Sequence, residues 1–405
     1  MSVIRLIYIV LHVLEILMLF IAGKKMSRTK TDKEYWKASV WAFIPYVIVL
    51  GLRFGHNIDW NHYSERYYEM REMDYSTTEP IYNFVFYALN SLGVPYFIFI
   101  SLQVAFFMFS FLLVAKHFRK CLYYVLPLLP VVAQSNDNYI RWYWAVSFIL
   151  IGFYMLLSDK KAKLIKCLLL FACAFAVHNG SVVLILLIPA FYLLQNRCLP
   201  PSVSVILVFI SVFFISIAVV EFLGDLANLI YLSTGGWGDN LHVSGYLLKI
   251  NDIAKGGLSD TTGIQVYSIR NKIITYLSFL PVILYGPKYL KQYKYGVLFY
   301  NLFIVGAFLN PFFSTVEIFD RFSRALLTFQ AVVAGTVYYL LLKDKFANLN
   351  LKLLCLASML CCFYPFIRYT FLVSQDYRMM YIWNADGRKN INTNLYINDM
   401  WRNRN

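Results

Sequence analysis

Four short polar constellations hold the residue types that chemistry needs. The first is Arg53-Phe54-Gly55-His56-Asn57-Ile58-Asp59-Trp60-Asn61-His62-Tyr63. The second is Asn136-Asp137-Asn138-Tyr139-Ile140-Arg141, and the third is His178-Asn179-Gly180-Ser181. The fourth is Asp320-Arg321-Phe322-Ser323-Arg324. Carboxylate and imidazole side chains can move protons when a reacting group comes within hydrogen-bond reach. Arginine presents a rigid fork of donors that suits phosphate and carboxylate, whereas lysine is a point charge. These residue types point to a site that handles an anion.

The elements that must position them are set by composition. Of 405 residues, 60% are hydrophobic and only 15% are charged, against about 25% charged in a soluble domain. Polar residues fall in clusters between long apolar runs. Such runs must be helical, because lipid offers an open backbone no hydrogen-bond partner. The expected fold is therefore all-α: a polytopic integral membrane protein of about a dozen transmembrane helices. The spans are placed near 3–22, 38–52, 96–115, 121–134, 142–157, 164–177, 181–194, 203–223, 273–287, 296–310, 325–342 and 352–373. The first lacks a basic leader and a small-residue cleavage site, so it is read as a retained span. Residues 80–93 form an amphipathic stretch. The reading is one transmembrane domain over 1–373, with an outer-face insert at 224–271 and a polar tail at 374–405. An insert of that length is usually functional or carries its own short helices.

Charge gives the orientation. Lysine and arginine in short loops mark the cytoplasmic side. Alternate loops carry Lys24, Lys25, Arg28, Lys30, Lys33 and Lys37; Lys116, Arg119 and Lys120; Lys160, Lys161, Lys163 and Lys166; Arg197; Lys288, Lys291 and Lys294; and Lys343, Lys345 and Lys352. Both termini and all four constellations then fall outside. Lysine concentrates in the cytoplasmic set, while the outer basic residues are mostly arginine. The net charge of +15 faces anionic lipid and calls for no nucleic acid. The seven cysteines lie in spans or on the cytoplasmic side, so no disulfide is expected. No metal-type spacing, D-x-D pair, Walker loop or G-x-G-x-x-G occurs, and no cofactor or metal is expected.

Depth is legible at His178. The runs on either side of His178–Ser181 are too short for the roughly 20 residues a span needs. The turn is expected below the membrane surface, lining a polar pocket; the alternative is that Lys163 and Lys166 snorkel and the turn sits at the headgroups. His12 and Glu15, one turn apart in the first span, are expected to pair with another helix. The aromatic residues belong to interfacial belts, or, at Trp60, Tyr63, Trp142, Trp144 and Trp237, stack on sugar faces.

Taken in order, Arg53-x-Gly55-x-x-x-Asp59-x-x-x-Tyr63, Glu79-Pro80-x-Tyr82, Asn138-x-x-Arg141-x-x-x-Ala145 and His178-x-x-Ser181 resemble the EpsG family of Wzy-like polysaccharide polymerases. The resemblance covers residues 40–200 best, with Arg321 and Arg324 beyond. Trp142 departs from the glutamine the family often has there, and Asn179-Gly180 varies from the usual pair. The resemblance implies a membrane glycosyltransferase of GT-C-like architecture in the bacterial inner membrane. It implies joining of undecaprenyl-diphosphate-linked oligosaccharide repeat units at the extracytoplasmic face, with donor and acceptor glycan, the lipid bilayer and a chain-length regulator as partners. Arg141, with Arg53 and Arg321 or Arg324, is then expected to bind the diphosphate. Asp59 or His178 is expected to accept the acceptor proton. His62, Tyr63, Asn138, Ser181, Arg270 and Asp320 complete the expected substrate-binding set. A ligase using the same donor, and a flippase for the lipid-linked unit, stay open as alternatives.

Overall fold

The computed structural model describes residues 2–70, 72, 79–134, 138–158, 161–193, 195–214, 268–313, 317–372 and 376–385. Most of the 224–271 insert, with Trp237, and most of the 374–405 tail lie outside them. Helix α1 (Val3–Ser27) starts on Ser2, whose hydroxyl accepts from Arg5 N–H, and ends on Lys24 and Lys25, where positive charge suits the helix dipole. Helix α2 (Asp32–Tyr46) opens with a reciprocal Thr31–Glu34 capping box. Pro45 removes a backbone donor near its end, and the chain continues as π-helix over Val47–Gly51. A polar helix α3 (Asn57–Glu69) follows. The sequence reading placed no helix there. Then come α4 (Pro80–Ser91) and α5 (Tyr96–Ala115), which runs on through short helical turns to Val132.

Helices α6 (Ile140–Leu157), α7 (Lys163–Val177), α8 (Val182–Leu193), α9 (Pro201–Phe214), α10 (Ile269–Leu290), α11 (Gly296–Phe313), α12 (Glu317–Lys343) and α13 (Leu349–Leu372) complete the order. Where described, the expected spans fall mostly on helix. Among the described residues, six helical stretches are long and apolar enough to cross a membrane: Val3–Ser27, Tyr96–Val132, Ile140–Leu157, Ile269–Leu290, Asp320–Lys343 and Leu349–Leu372. The chain is an all-helical, multi-pass membrane protein; the only β-type pairing among the described residues is one isolated bridge, Arg53 with Tyr381.

Contacts divide the chain into two compact units, Met1–Leu194 with Phe363–Asn405, and Gln195–Cys362. In the first unit, small residues allow close approach. A Cβ on Gly23 would stand 2.5 Å from the Leu122 carbonyl oxygen, and one on Gly51 would stand 2.8 Å from Ser101 Cα. At one end of this unit Lys116 and Arg119 both pair with Asp32. That contact joins two connections which the charge pattern assigns to the same side. At the other end an aromatic cluster packs α3, α4 and α5 together. Tyr67 lies edge-on to Phe86 at 4.8 Å, Trp60 edge-on to Tyr96 at 5.2 Å, and Tyr67 donates to the Val94 carbonyl at 2.6 Å.

The segment after α13 returns to this end. Phe54 N–H donates to the Met380 carbonyl at 2.9 Å, and Ile382 N–H to the Leu52 carbonyl at 3.1 Å, flanking the Arg53–Tyr381 bridge. Met379 and Tyr381 are fully buried with Tyr8 of α1. One turn along α1, His12 and Glu15 are buried too, but not in the pairing expected of them. His12 Nδ1 meets the Tyr8 carbonyl of its own helix at 2.9 Å. The Glu15 oxygens have no hydrogen-bond partner among the described residues.

In the second unit a polar knot ties three helices through an apolar interior. Tyr338 Oη lies 2.9 Å from Ser358 Oγ, and both hydroxyls donate to the Ser278 carbonyl. Lys288 and Tyr289 both reach Asp344, again joining connections with the same expected sidedness. The close approach at Gly23 is directly testable. Gly23→Ala is expected to cost about 1–3 kcal/mol through overpacking, read as a lower thermal midpoint in detergent.

Candidate active site

The site is built from three connections of the first unit and one turn of α3. The loop before α3 turns sharply. Gly55 has φ 64° and Asn57 φ 66°, left-handed values that glycine adopts freely and asparagine tolerates. The turn delivers the chain into α3, with Asp59 in its first turn. Tyr63 lies one turn further along. Pro80 is at the start of α4, where its missing N–H costs nothing, and Glu79 immediately precedes it. Arg141 is in the first turn of α6. The α7–α8 connection is a tight 3-10 turn over Asn179–Ser181.

Glu79 joins these pieces. Its Oε1 accepts from His178 Nδ1 at 2.7 Å, and its Oε2 accepts from Arg141 Nη1. The Asn179 N–H also bonds to it. Arg141 Nε donates to the Tyr63 hydroxyl at 2.8 Å, and its guanidinium lies 4.7 Å from the Tyr63 ring centre and 5.4 Å from that of Tyr82. Trp142 stands edge-on to His178 at 5.6 Å. His178 is 3% exposed and Ser181 is fully buried, while the Arg141 and Glu79 side chains keep 24% and 13% of their surface. Burial pushes the Glu79 carboxyl up. The His178 hydrogen bond and the Arg141 charge pull it down and prevail, so its pKa falls below the ordinary value. Glu79 is therefore an anion at neutral pH. In the neutral imidazole, an anionic partner on Nδ1 holds the proton there and leaves the lone pair on Nε2. Gly180 stands against that nitrogen: a Cβ there would lie 3.3 Å from Nε2.

The sequence reading quoted Glu79 in a motif but gave it no role. Arg141, Tyr63 and His178, by contrast, are brought together as expected site residues. Ser181 lies in the same turn as His178, and its N–H donates to the His178 carbonyl at 2.9 Å. Asn138, just before α6, accepts the Ile140 N–H at 2.9 Å. Asp59 is half-buried one turn before Tyr63, and His62 is exposed beside Tyr63. Arg53 is fully buried and donates to the Leu50 carbonyl at 2.6 Å. There it braces the end of the π-helix. Burial and the positive charge of Arg53 lower the pKa of His56 well below its usual value.

The remaining expected residues belong to the second unit. Arg270 is exposed at the start of α10, and Arg324 pairs with buried Asp320 one turn away, at 3.0 Å. Arg321 is half-buried between them in sequence. Trp60, Tyr63, Trp142 and Trp144 are all buried. They stack among protein aromatic residues and His178 and do not present open faces to sugar. Among the described residues, no group of three or more His, Cys, Asp and Glu side chains converges as metal ligands.

The family model that matches the chain is that of the EpsG family, over residues 38–380. The chain belongs to the EpsG family. It is thus a member of a Wzy-like polysaccharide polymerase family, and the match spans all of the motifs that meet at Glu79. No curated protein and no solved structure matches it.

Two measurements test the cluster. Glu79→Ala leaves the Arg141 charge largely buried without its carboxylate, and is expected to cost about 3–5 kcal/mol of stability. The second is a pH dependence. A carboxyl whose folded pKa is depressed contributes stability above its unfolded pKa and loses it as pH falls through the folded value. The stability gap between wild type and Glu79→Gln should therefore narrow below about pH 4. A gap independent of acid would contradict the anionic assignment.

Proposed function

We propose that this EpsG-family protein elongates undecaprenyl-diphosphate-linked oligosaccharides at the extracytoplasmic face of the bacterial inner membrane. The reaction transfers a glycan from one lipid diphosphate to a hydroxyl of another lipid-linked unit. The acceptor oxygen bonds to the anomeric carbon, the bond from that carbon to the phosphate oxygen breaks, and undecaprenyl diphosphate leaves with the electron pair. The hydroxyl proton passes to His178 Nε2.

The observation that carries this reading is the Glu79 carboxylate shared by His178 and Arg141. It supplies both halves of the chemistry from one anchor. Sequence left Asp59 and His178 as alternative bases; the carboxylate on Nδ1 favours His178. In the transition state the imidazole gains a proton, and Glu79 stabilises the imidazolium that forms. Arg141 uses Nε and Nη1 to hold Tyr63 and Glu79. A guanidinium has five N–H donors, so it can also meet a phosphate oxygen. Preorganised charge of this kind is usually the largest catalytic contribution where a leaving group develops negative charge. Polar backbone at the His178–Ser181 turn fits the same reading, because α7 and α8 have only 15 and 12 residues. Neither reaches the roughly 20 residues of a full span.

The test is purified protein in liposomes with its native lipid-linked repeat unit. A ladder of longer lipid-linked glycans with release of undecaprenyl diphosphate is expected. Movement of labelled donor across the bilayer without elongation would overturn the reading. Arg141→Ala and His178→Ala should each lower the rate by about 10²–10⁴-fold at normal expression; wild-type yield from either would remove that residue from the mechanism. Gly180→Val should also slow the ladder, because its side chain crowds Nε2.

A further inference from the structure

Helix α3 has two faces. Trp60, Tyr63 and Tyr67 pack inward. His62, Glu65, Arg66 and Glu69 recur at positions i, i+3, i+4 and i+7, and so share the opposite face. With Met70 they line an open cavity of about 380 Å³ along this face of the helix. Arg66 leans toward α4, with Nη2 3.5 Å from Asn83 Oδ1, and Asn90 donates to the Met70 carbonyl at 2.7 Å. The cavity therefore sits beside a helix end tied to α4.

The lining decides what it takes. Glu65 and Glu69 accept hydrogen bonds, Arg66 donates them, and His62 does either. Two carboxylates against one guanidinium repel a phosphate or a uronic acid. A sugar with vicinal hydroxyls, each both donor and acceptor, matches the mixed set, as does an amino sugar. The cavity neighbours the site along α3. The His62 ring lies 5.6 Å from that of Tyr63, whose hydroxyl accepts from Arg141. From His62 to Glu69 the face runs about 10 Å along the helix axis, away from the reacting groups.

We propose that this cavity is a glycan subsite: it holds neutral or amino-sugar residues that flank the reacting sugar. The proposal rests on the polymerase reading and adds the recognition of the chain beyond the reacting unit. Contacts to sugars outside the reacting bond are made equally in ground and transition states. Losing them raises KM and leaves kcat largely in place.

The experiment uses the full chain in nanodiscs and the Glu65→Gln/Glu69→Gln double variant, which keeps side-chain size on a largely solvent-facing surface. The probe is the native repeat-unit oligosaccharide freed of its lipid diphosphate. Wild type is expected to bind it, and the variant to bind it at least about tenfold more weakly, with a matching rise in KM for elongation. No binding by wild type, or equal binding and equal KM in the variant, overturns the subsite. A wild type that binds the oligosaccharide through Glu65 and Glu69 but builds no ladder keeps the subsite and overturns the polymerase reading instead.

Discussion

A carboxylate held between an imidazole and a guanidinium organises the first unit. Glu79 precedes α4, Arg141 begins α6, and His178 ends α7. No two of these are close in sequence, and no apolar packing alone would fix their side chains. Ion pairing away from water is costly unless geometry is good and the remaining lone pairs are satisfied. Here the carboxylate receives donors from His178, Arg141 and the Asn179 backbone, and Tyr63 takes a further donor of the arginine. The network is closed enough to carry its charge, and it leaves Arg141 partly exposed, where a ligand can reach it.

Around this network the helices divide their labour. Helices such as α1 and α6 are long and apolar enough to cross a membrane, while the shorter α7 and α8 flank the His178–Ser181 turn that meets the network. The polar helix α3 lies across the same end. Its aromatic side presses onto α4 and α5, and its charged side is left for contact with something hydrophilic. One short helix thus carries a packing face, the Tyr63 hydroxyl and a solvent-facing row of charge.

Much of the helical order was legible from apolar run length alone, because a backbone in lipid has few alternatives to helix. Sequence also picked out Arg141, Tyr63 and His178, since their types and order carry chemistry. Helix α3 escaped because its residues are too polar to register as a span and its periodicity is that of an ordinary soluble helix. The role of Glu79 escaped for a different reason. A lone carboxylate before a proline reads as a helix start, and its partners lie 62 and 99 residues away. Arg53 was read from sequence as a diphosphate ligand and not as a brace, because the Leu50 carbonyl it meets is a backbone group at the end of the π-helix, which no residue type announces. Glu15 carries the opposite lesson: an ionisable residue in a span faces inward, as its type requires, yet has no ion pair among the described residues.

The Arg53–Tyr381 bridge has a consequence for how the chain is made. The loop that feeds α3 is emitted early in synthesis, but its backbone partners at Met380 and Ile382 arrive only after α13 has been inserted. Long-range closure of this kind is slow and comes late. Until then the loop lacks its clasp. Two clocks thus run at one end of the unit: the Glu79 network needs nothing beyond Asn179, whereas the loop feeding α3 is clasped only when Met380 and Ile382 arrive.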